Sequence, residues 1–196
     1  MFGAYYGLAL AWYLGVPHSE RRKKEKASIV SDVFAFIGTL FLWLYWPSFV
    51  AGLAVPGTAE TERALTNTIL ALVASTIVTF AASAFLCGVF RPCDIQNATL
   101  AGGVAIGATA NLTLHPLGAM AIGSIAGLVS ALGFAKLSPW LEKKIKLHDT
   151  CGIHNLHGMP SILGGLVSAV SSSFGIVAAH ATPDCHLFSC RRSSRA

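Results

Sequence analysis

Four side chains able to bind metals or transfer protons recur at every third position late in the chain: His148, Cys151, His154 and His157. Histidine and cysteine are ligands of zinc and copper, so the pattern first suggests a metal site. On a helix, however, each step of three residues turns the side chain by about 60°, so His148 and His157 face opposite sides. Only His154 and His157 then remain neighbours, and two ligands make a weak site. We therefore predict no metal and no other cofactor.

The surroundings of the histidines favour a different chemistry. An apolar run at 161–170 follows them directly, so the imidazoles lie at the mouth of a segment suited to a membrane. A neutral imidazole accepts a proton on one nitrogen and donates from the other, which suits proton removal from a weak acid. The alternative is a packed histidine bound to a backbone carbonyl, and the residues alone leave both open. Nothing nearby forms an oxyanion hole for a cysteine–histidine pair, so we predict no enzyme.

The composition indicates a membrane protein. Of the 196 residues, 54% are hydrophobic and 12% are charged, and the mean hydropathy is +0.61. A soluble domain carries about 25% charged residues. The basic residues cluster in short loops, so the net charge of +5 predicts membrane orientation and no nucleic-acid partner. We expect an all-α, polytopic transmembrane helix bundle in contact with the lipid bilayer.

The apolar runs divide the chain into segments. Residues 1–16 form a partial span, 17–31 a basic cytoplasmic loop, 32–179 a five-span membrane region and 180–196 a disordered polar tail. With the basic loop in the cytoplasm, nearly all the other basic loop residues before the tail fall on the same side, as the positive-inside rule requires. The five full spans are expected at 32–55, 64–90, 95–114, 117–137 and then up to 179.

Aromatic and small residues characterise particular spans. Trp46 and Phe49 are three residues apart, so they share a helix face and either join an interfacial belt or narrow a passage. The spans at 95–114 and 117–137 are rich in glycine at GxxxG spacing. Small residues at that spacing let helix backbones approach closely. We expect these two spans to be scaffold in the centre of the bundle.

Four ordered segments resemble the Rhesus branch of the ammonium transporter family. They are FGAYYGL (2–8), GTLFLWLYWPSF (38–49), QNATLAGGVAIG (96–107) and DTCGIHNLHGMPSILGG (149–165). The family's fold is an inverted repeat of helices with a pore between the halves. The resemblance implies that this sequence carries the end of one span plus most of the second repeat. It is therefore expected to be a partial chain, about half of a channel fold.

The resemblance also implies a site. The position matching the second of the family's paired pore histidines is His157. A position of the family's aromatic gate and cation site matches Phe49, with Trp46 beside it. The substrate pathway is thus expected at His157, Phe49 and Trp46. The residues expected to support it are His154, Asn155, Cys151 and Asp149.

The implied function is channel-like transport of ammonium or ammonia, with deprotonation before a dry pore, and passage of carbon dioxide as well. Family members assemble as trimers, so a homo- or hetero-trimer in the plasma membrane is expected. Val50 stands where Rhesus members usually have asparagine, and the first pore histidine would precede Met1. The alternative is a non-conducting truncated isoform or fragment that at most associates with full-length subunits.

Overall fold

The computed structural model describes residues 1–15 and 28–181, with side chains described up to Ser173. Within these ranges the chain is helical, with turns between the helices and no strand. The all-α prediction is therefore confirmed. Most of the loop expected at 17–31 and nearly all of the tail expected at 180–196 lie outside the described residues.

The first two helices are α1 (Phe2–Leu14) and α2 (Ile29–Ala51). The hydroxyl oxygen of Ser28 accepts a hydrogen bond from Ser31 N at 3.1 Å, and Ser31 Oγ accepts one from Ser28 N at 3.2 Å. This reciprocal cap satisfies two amides that a helix start otherwise leaves unpaired. Because of it, α2 begins at Ile29, and the end of the predicted loop 17–31 is helical.

α3 (Ala59–Cys87) is followed by a broken helix. The break consists of α4 (Pro92–Asn97), a 3₁₀ turn (Ala98–Leu100) and α5 (Ala101–Ile106). The span predicted at 95–114 thus ends early, and turns follow α5. The buried Asn67 side chain on α3 stabilises these turns, since its Nδ2 donates to Ala110 O at 2.9 Å.

The rest of the chain forms two further helical segments, each containing a widened π-helical turn. α6 (Pro116–Leu132) continues through a π turn (Gly133–Leu137) into α7 (Ser138–Ile145). A second π turn (His154–Gly158) leads into α8 (Met159–Ala181). π turns inside helices frequently occur at functional sites.

Three helical segments of the described chain are long and apolar enough to cross a membrane: Ile29–Ala51, Ala59–Cys87 and Pro116–Ile145. Together with the broken helix and α8, which has 23 residues, they follow the order of the five predicted spans. α1 precedes them as the partial span. The chain is therefore a bundle of membrane-spanning helices.

α3 and α6 pack with their backbones in close approach. A Cβ atom added to Gly123 would collide with Ala71 O, and one added to Gly127 would lie 2.7 Å from Ser75 O. Only glycine permits this separation, so the expectation of close packing at Gly123 and Gly127 is confirmed. Without a hydrophobic force between helices in lipid, such packing is a main source of stability.

An ion pair between Arg91 and Asp94 lies at the start of α4 and is hydrogen-bonded to the end of α3. The Asp94 side chain is fully buried and accepts from Arg91 Nη2 at 2.7 Å and Arg91 Nε at 2.9 Å. Ser83 Oγ donates to the same carboxylate at 2.6 Å. The hydrogen bond to Asp94 raises the pKa of Arg91 above its usual value. This cluster orients the broken helix relative to α3.

Candidate functional site

A cavity of about 710 Å³ lies between α2, α5 and the second π turn. Its wall on α2 is aromatic, and its wall on the broken helix is made of small and aliphatic residues. The cavity brings together the three residues that were expected to form the substrate pathway. Its lining includes Phe41, Tyr45, Trp46, Phe49, Gly103, Val104, Gly107 and His157.

Trp46 and His157 are stacked in this cavity. Their ring centroids are 6.4 Å apart and their planes differ by 15°. Trp46 reaches this position because Gly103 has no side chain: an added Cβ would lie 2.6 Å from Trp46 Nε1 and 2.9 Å from Leu72 Cδ2. The imidazole therefore faces an aromatic plane and borders a largely apolar space.

Phe49 occupies the open side of the cavity. Its side chain is 80% exposed, one helical turn beyond the half-buried Trp46. On the same helix, Phe41 and Tyr45 stack with centroids 6.3 Å apart and planes 5° apart. Trp46 and Phe49 thus line one cavity along α2, and that they narrow a passage stays a prediction.

Asp149 shapes the chain that leads to His157. Its Oδ1 accepts from Ile153 N at 2.9 Å and its Oδ2 accepts from His154 N at 2.8 Å. A carboxylate at the start of a helix satisfies free amides and stabilises the positive end of the helix dipole. Asp149 therefore supports the π turn through the backbone. Cys151 is exposed in the turn between Asp149 and the π turn, and it does not line the cavity.

Asn155 connects the two π turns. Its side chain is fully buried, and its Nδ2 donates to Ser138 Oγ at 2.6 Å. The amide oxygen has no hydrogen-bond partner among the described residues. A Cβ added to Gly133 would contact that oxygen, so the two turns approach closely. Asn155 thus ties the turn that carries His157 to the junction of α6 and α7.

His154 faces away from the cavity. Its ring meets Tyr5 of α1 edge to face, with centroids 5.8 Å apart and an angle of 82°. It lines a separate apolar cleft of about 300 Å³ together with Trp12 and Leu141. The expectation that His154 and His157 remain neighbours is therefore wrong in this structure. The π turn widens the angle between side chains three positions apart.

The sequence did not identify the small-residue wall of the cavity. The span containing Gly103 and Gly107 was expected to be scaffold, yet both residues line the cavity with Val104. Gly103 approaches the indole of Trp46, while an atom added to Gly107 would meet only carbonyls of its own helix. The signal that could have indicated this wall was a glycine-rich span in a chain that also contains a helix rich in aromatic residues.

The sequence model of the Ammonium Transporter Family matches residues 1–187 of this chain. The ammonium transporter Rh type C of Xenopus laevis is 49% identical over 175 residues, which cover 88% of this chain and 37% of the relative. The ammonium transporter Rh type A of Canis lupus familiaris is 49% identical over 179 residues, which cover 89% of this chain and 43% of the relative. The chain thus spans about two fifths of the length of these relatives.

Solved structures resemble this fold. The Rh50 structure of Nitrosomonas europaea, from the Rhesus family of channels, superposes with a TM-score of 0.79 at 38% identity. That match covers 92% of this chain and 48% of the Rh50 chain. A sensor Amt protein has a TM-score of 0.72 at 24% identity over 86% of this chain and 41% of its own, and shows the shared fold alone. This chain, an integral membrane protein, belongs to the ammonium transporter family.

Proposed function

We propose that this chain contributes half of a pore that conducts ammonia, with His157, Trp46 and Phe49 on the substrate pathway. The observation that carries the proposal is the stack of His157 on Trp46 inside an aromatic and aliphatic cavity. The membership of the chain in the ammonium transporter family supports the same substrate.

The apolar walls favour a neutral substrate. Transfer of a bare ammonium ion into such surroundings costs many kcal/mol, because the cavity offers few groups to replace its hydration. Ammonia carries no charge, so it passes a dry section more easily after it has lost a proton. The neutral imidazole of His157 donates to, or accepts from, the nitrogen of the substrate. Carbon dioxide, which is also small and neutral, is a second substrate of the same path.

The aromatic face explains where the cation is released from water. The π face of Trp46 attracts a cation, and an ammonium ion near it is stabilised while part of its hydration is lost. Phe49, at the open side of the cavity, narrows the entrance to that position. In this proposal His157, whose ring centroid lies 6.4 Å from that of Trp46, holds the deprotonated amine.

Uptake of labelled methylammonium into vesicles that contain the purified chain tests this function. Uptake should fall at least about tenfold in His157→Ala, because one missing polar contact in a dry site corresponds to about 1.4 kcal/mol or more. His154→Ala is the matched control, since that ring lies three residues away but faces Tyr5. Equal loss in both variants would argue against a role of His157 in the pathway, and no uptake by the unaltered chain would argue against conduction by this chain alone.

A second candidate function is a non-conducting partner of longer family members. Its support is the open side of the cavity, where Phe41 is 57%, Tyr45 64% and Phe49 80% exposed. The aligned region also spans only about two fifths of the relatives' length. Under this hypothesis the chain joins full-length subunits in trimers at the plasma membrane. Co-expression with a full-length relative should then show co-purification or reduced transport. The absence of both effects would reject this candidate.

A further inference from the structure

Ser75 lies at the break in the helix that lines the cavity. Its side chain is fully buried on α3. Ser75 Oγ donates to Ala98 O at 2.9 Å and accepts from Gly102 N at 3.1 Å. In a continuous α-helix, the amide of Gly102 would donate to the carbonyl of Ala98, four residues earlier. A hydroxyl from another helix therefore bridges two groups that the broken helix would otherwise join directly.

We infer that Ser75 is a positioning residue for the pore. The hydroxyl holds the junction of α4 and α5 open, and this sets where the next residue, Gly103, meets Trp46. Buried amides and carbonyls must be paired, so the junction needs a group that both donates and accepts. A serine hydroxyl does both within a small volume.

The packing around Ser75 leaves room for little else. A Cβ added to Gly102 would lie 2.7 Å from Ser75 Cβ, and one added to Gly127 would lie 2.8 Å from Ser75 Oγ. Three helices therefore meet at this side chain. A larger residue at position 75 would separate them, and a residue without a polar atom would remove the bridge between Gly102 N and Ala98 O.

The consequences reach the pore through direct contacts. Gly103 follows Gly102 and lies against the Trp46 indole, where an added Cβ would be 2.6 Å from Nε1. Trp46 in turn stacks on His157. Without the hydroxyl, Gly102 N is free to donate to Ala98 O, which tightens the junction and turns the Gly103 backbone relative to the indole. The stack on His157 then changes although neither ring has been altered.

A buried serine that only stabilises its own helix would behave differently, and Thr68 provides that comparison. Thr68 is fully buried on the same helix, and its Oγ1 donates to Ala64 O, within α3, at 2.7 Å. Both hydrogen bonds of Ser75 instead go to the broken helix. Loss of the Thr68 hydroxyl should reduce stability without moving Gly103.

The experiment compares Ser75→Ala, Ser75→Cys and Thr68→Val with the unaltered chain in detergent. The readout is the emission of Trp46, obtained for each protein by subtracting the emission of its Trp46→Phe counterpart. Protonation of an imidazole near an indole quenches the indole emission, so the part of the acid quenching of Trp46 that His157→Ala abolishes reports the position of His157 relative to the indole. Circular dichroism and the melting temperature of every variant are measured in parallel.

We expect Ser75→Ala to lose most of the acid quenching of Trp46, and Ser75→Cys to recover part of it because sulfur donates and accepts weakly. Thr68→Val should keep the full quenching even where its melting temperature falls. Unchanged quenching in a folded Ser75→Ala protein would overturn the inference, as would an equal loss in Thr68→Val. If Ser75→Ala does not fold, Ser75→Cys provides the test. Acid quenching and a Trp46 emission spectrum equal to those of the unaltered chain would overturn the inference, and a partial loss of the quenching would support it.

Methylammonium uptake forms a second arm, which rests on the proposed function. In vesicles, Ser75→Ala should lower uptake by about tenfold, as small displacements in a positioned site commonly do. Absence of uptake by the unaltered chain would count against the proposed function alone, because the fluorescence comparison needs no transport. Unchanged uptake in Ser75→Ala would overturn the role of Ser75 in the pore.

Discussion

The indole of Trp46 and the imidazole of His157 stack with their centroids 6.4 Å apart, although they are 111 positions apart in the chain. One ring comes from α2 and the other from the π turn before α8. Aromatic pairs of this kind contribute about 0.5–1.5 kcal/mol beyond the apolar area they bury. The stack restricts the orientation of the imidazole, which lines the cavity.

Trp46→Ala should therefore lower both stability and transport. Truncation of a buried tryptophan costs about 3–5 kcal/mol, and the half-buried position of Trp46 reduces the expected cost to about 2–3 kcal/mol. Trp46→Phe keeps an aromatic plane and should lose about half as much stability. Thermal unfolding in detergent and methylammonium uptake measure the two effects. A Trp46→Ala protein with unchanged uptake would remove Trp46 from the pathway.

Gly103→Ala tests the close approach of the broken helix to the indole. The added methyl group would lie 2.6 Å from Trp46 Nε1 and 2.9 Å from Leu72 Cδ2, so it must displace one of them. Overpacking of this kind costs about 1–3 kcal/mol. Gly118→Ala is the matched control because an added Cβ there meets no atom within 4 Å. We expect a lower melting temperature and altered Trp46 emission in Gly103→Ala alone.

Ser138→Ala should destabilise the turn that carries His157. The substitution removes the acceptor of Asn155 Nδ2, whose amide oxygen already has no partner among the described residues. A buried amide left without hydrogen bonds costs about 1–3 kcal/mol. Ser173→Ala serves as the control, since that exposed hydroxyl binds only Ala169 O of its own helix. Equal melting temperatures for the two variants would contradict the proposed link between the π turns.

Asp94→Ala should be more damaging than a surface charge change. It leaves the guanidinium of Arg91 and the hydroxyl of Ser83 without the carboxylate that accepts from both. Because the Arg91 side chain is 27% exposed, water can solvate its charge, and the change should cost about 1–3 kcal/mol through the lost hydrogen bonds. Glu62→Gln, an exposed change in the first turn of α3, should cost about 0.5 kcal/mol through the helix dipole. The decrease in melting temperature of each variant tests whether Asp94→Ala is more destabilising than Glu62→Gln.

The helices could be predicted because their signals are local. Apolar runs act within the segment that they span, whereas the reciprocal cap of Ser28 and Ser31, which starts α2 at Ile29, was not predicted. The end of the broken helix could not be predicted in the same way. Its turns depend on Asn67, which belongs to α3 and lies far from Ala110 in sequence.

The candidate site was predicted in part. Resemblance to the Rhesus branch indicated His157, Trp46 and Phe49, and all three line one cavity. Whether these residues conduct a substrate stays a prediction. His154 and Cys151 were expected to support the cavity, but His154 faces α1 and Cys151 is exposed. The regular helical periodicity that predicted His154 and His157 to be neighbours does not apply within a π turn.

By itself, the sequence determined the membrane-spanning class, the order of the helices and the family, since hydropathy, capping and motif identity are properties of short segments. Only the tertiary structure decided which imidazole faces the cavity, which glycines form its wall and which serine bridges the broken helix. These features depend on contacts between helices that are distant in the chain. Their geometry follows from close backbone packing at Gly103 and Gly127, where a fraction of an ångström determines whether two side chains can meet.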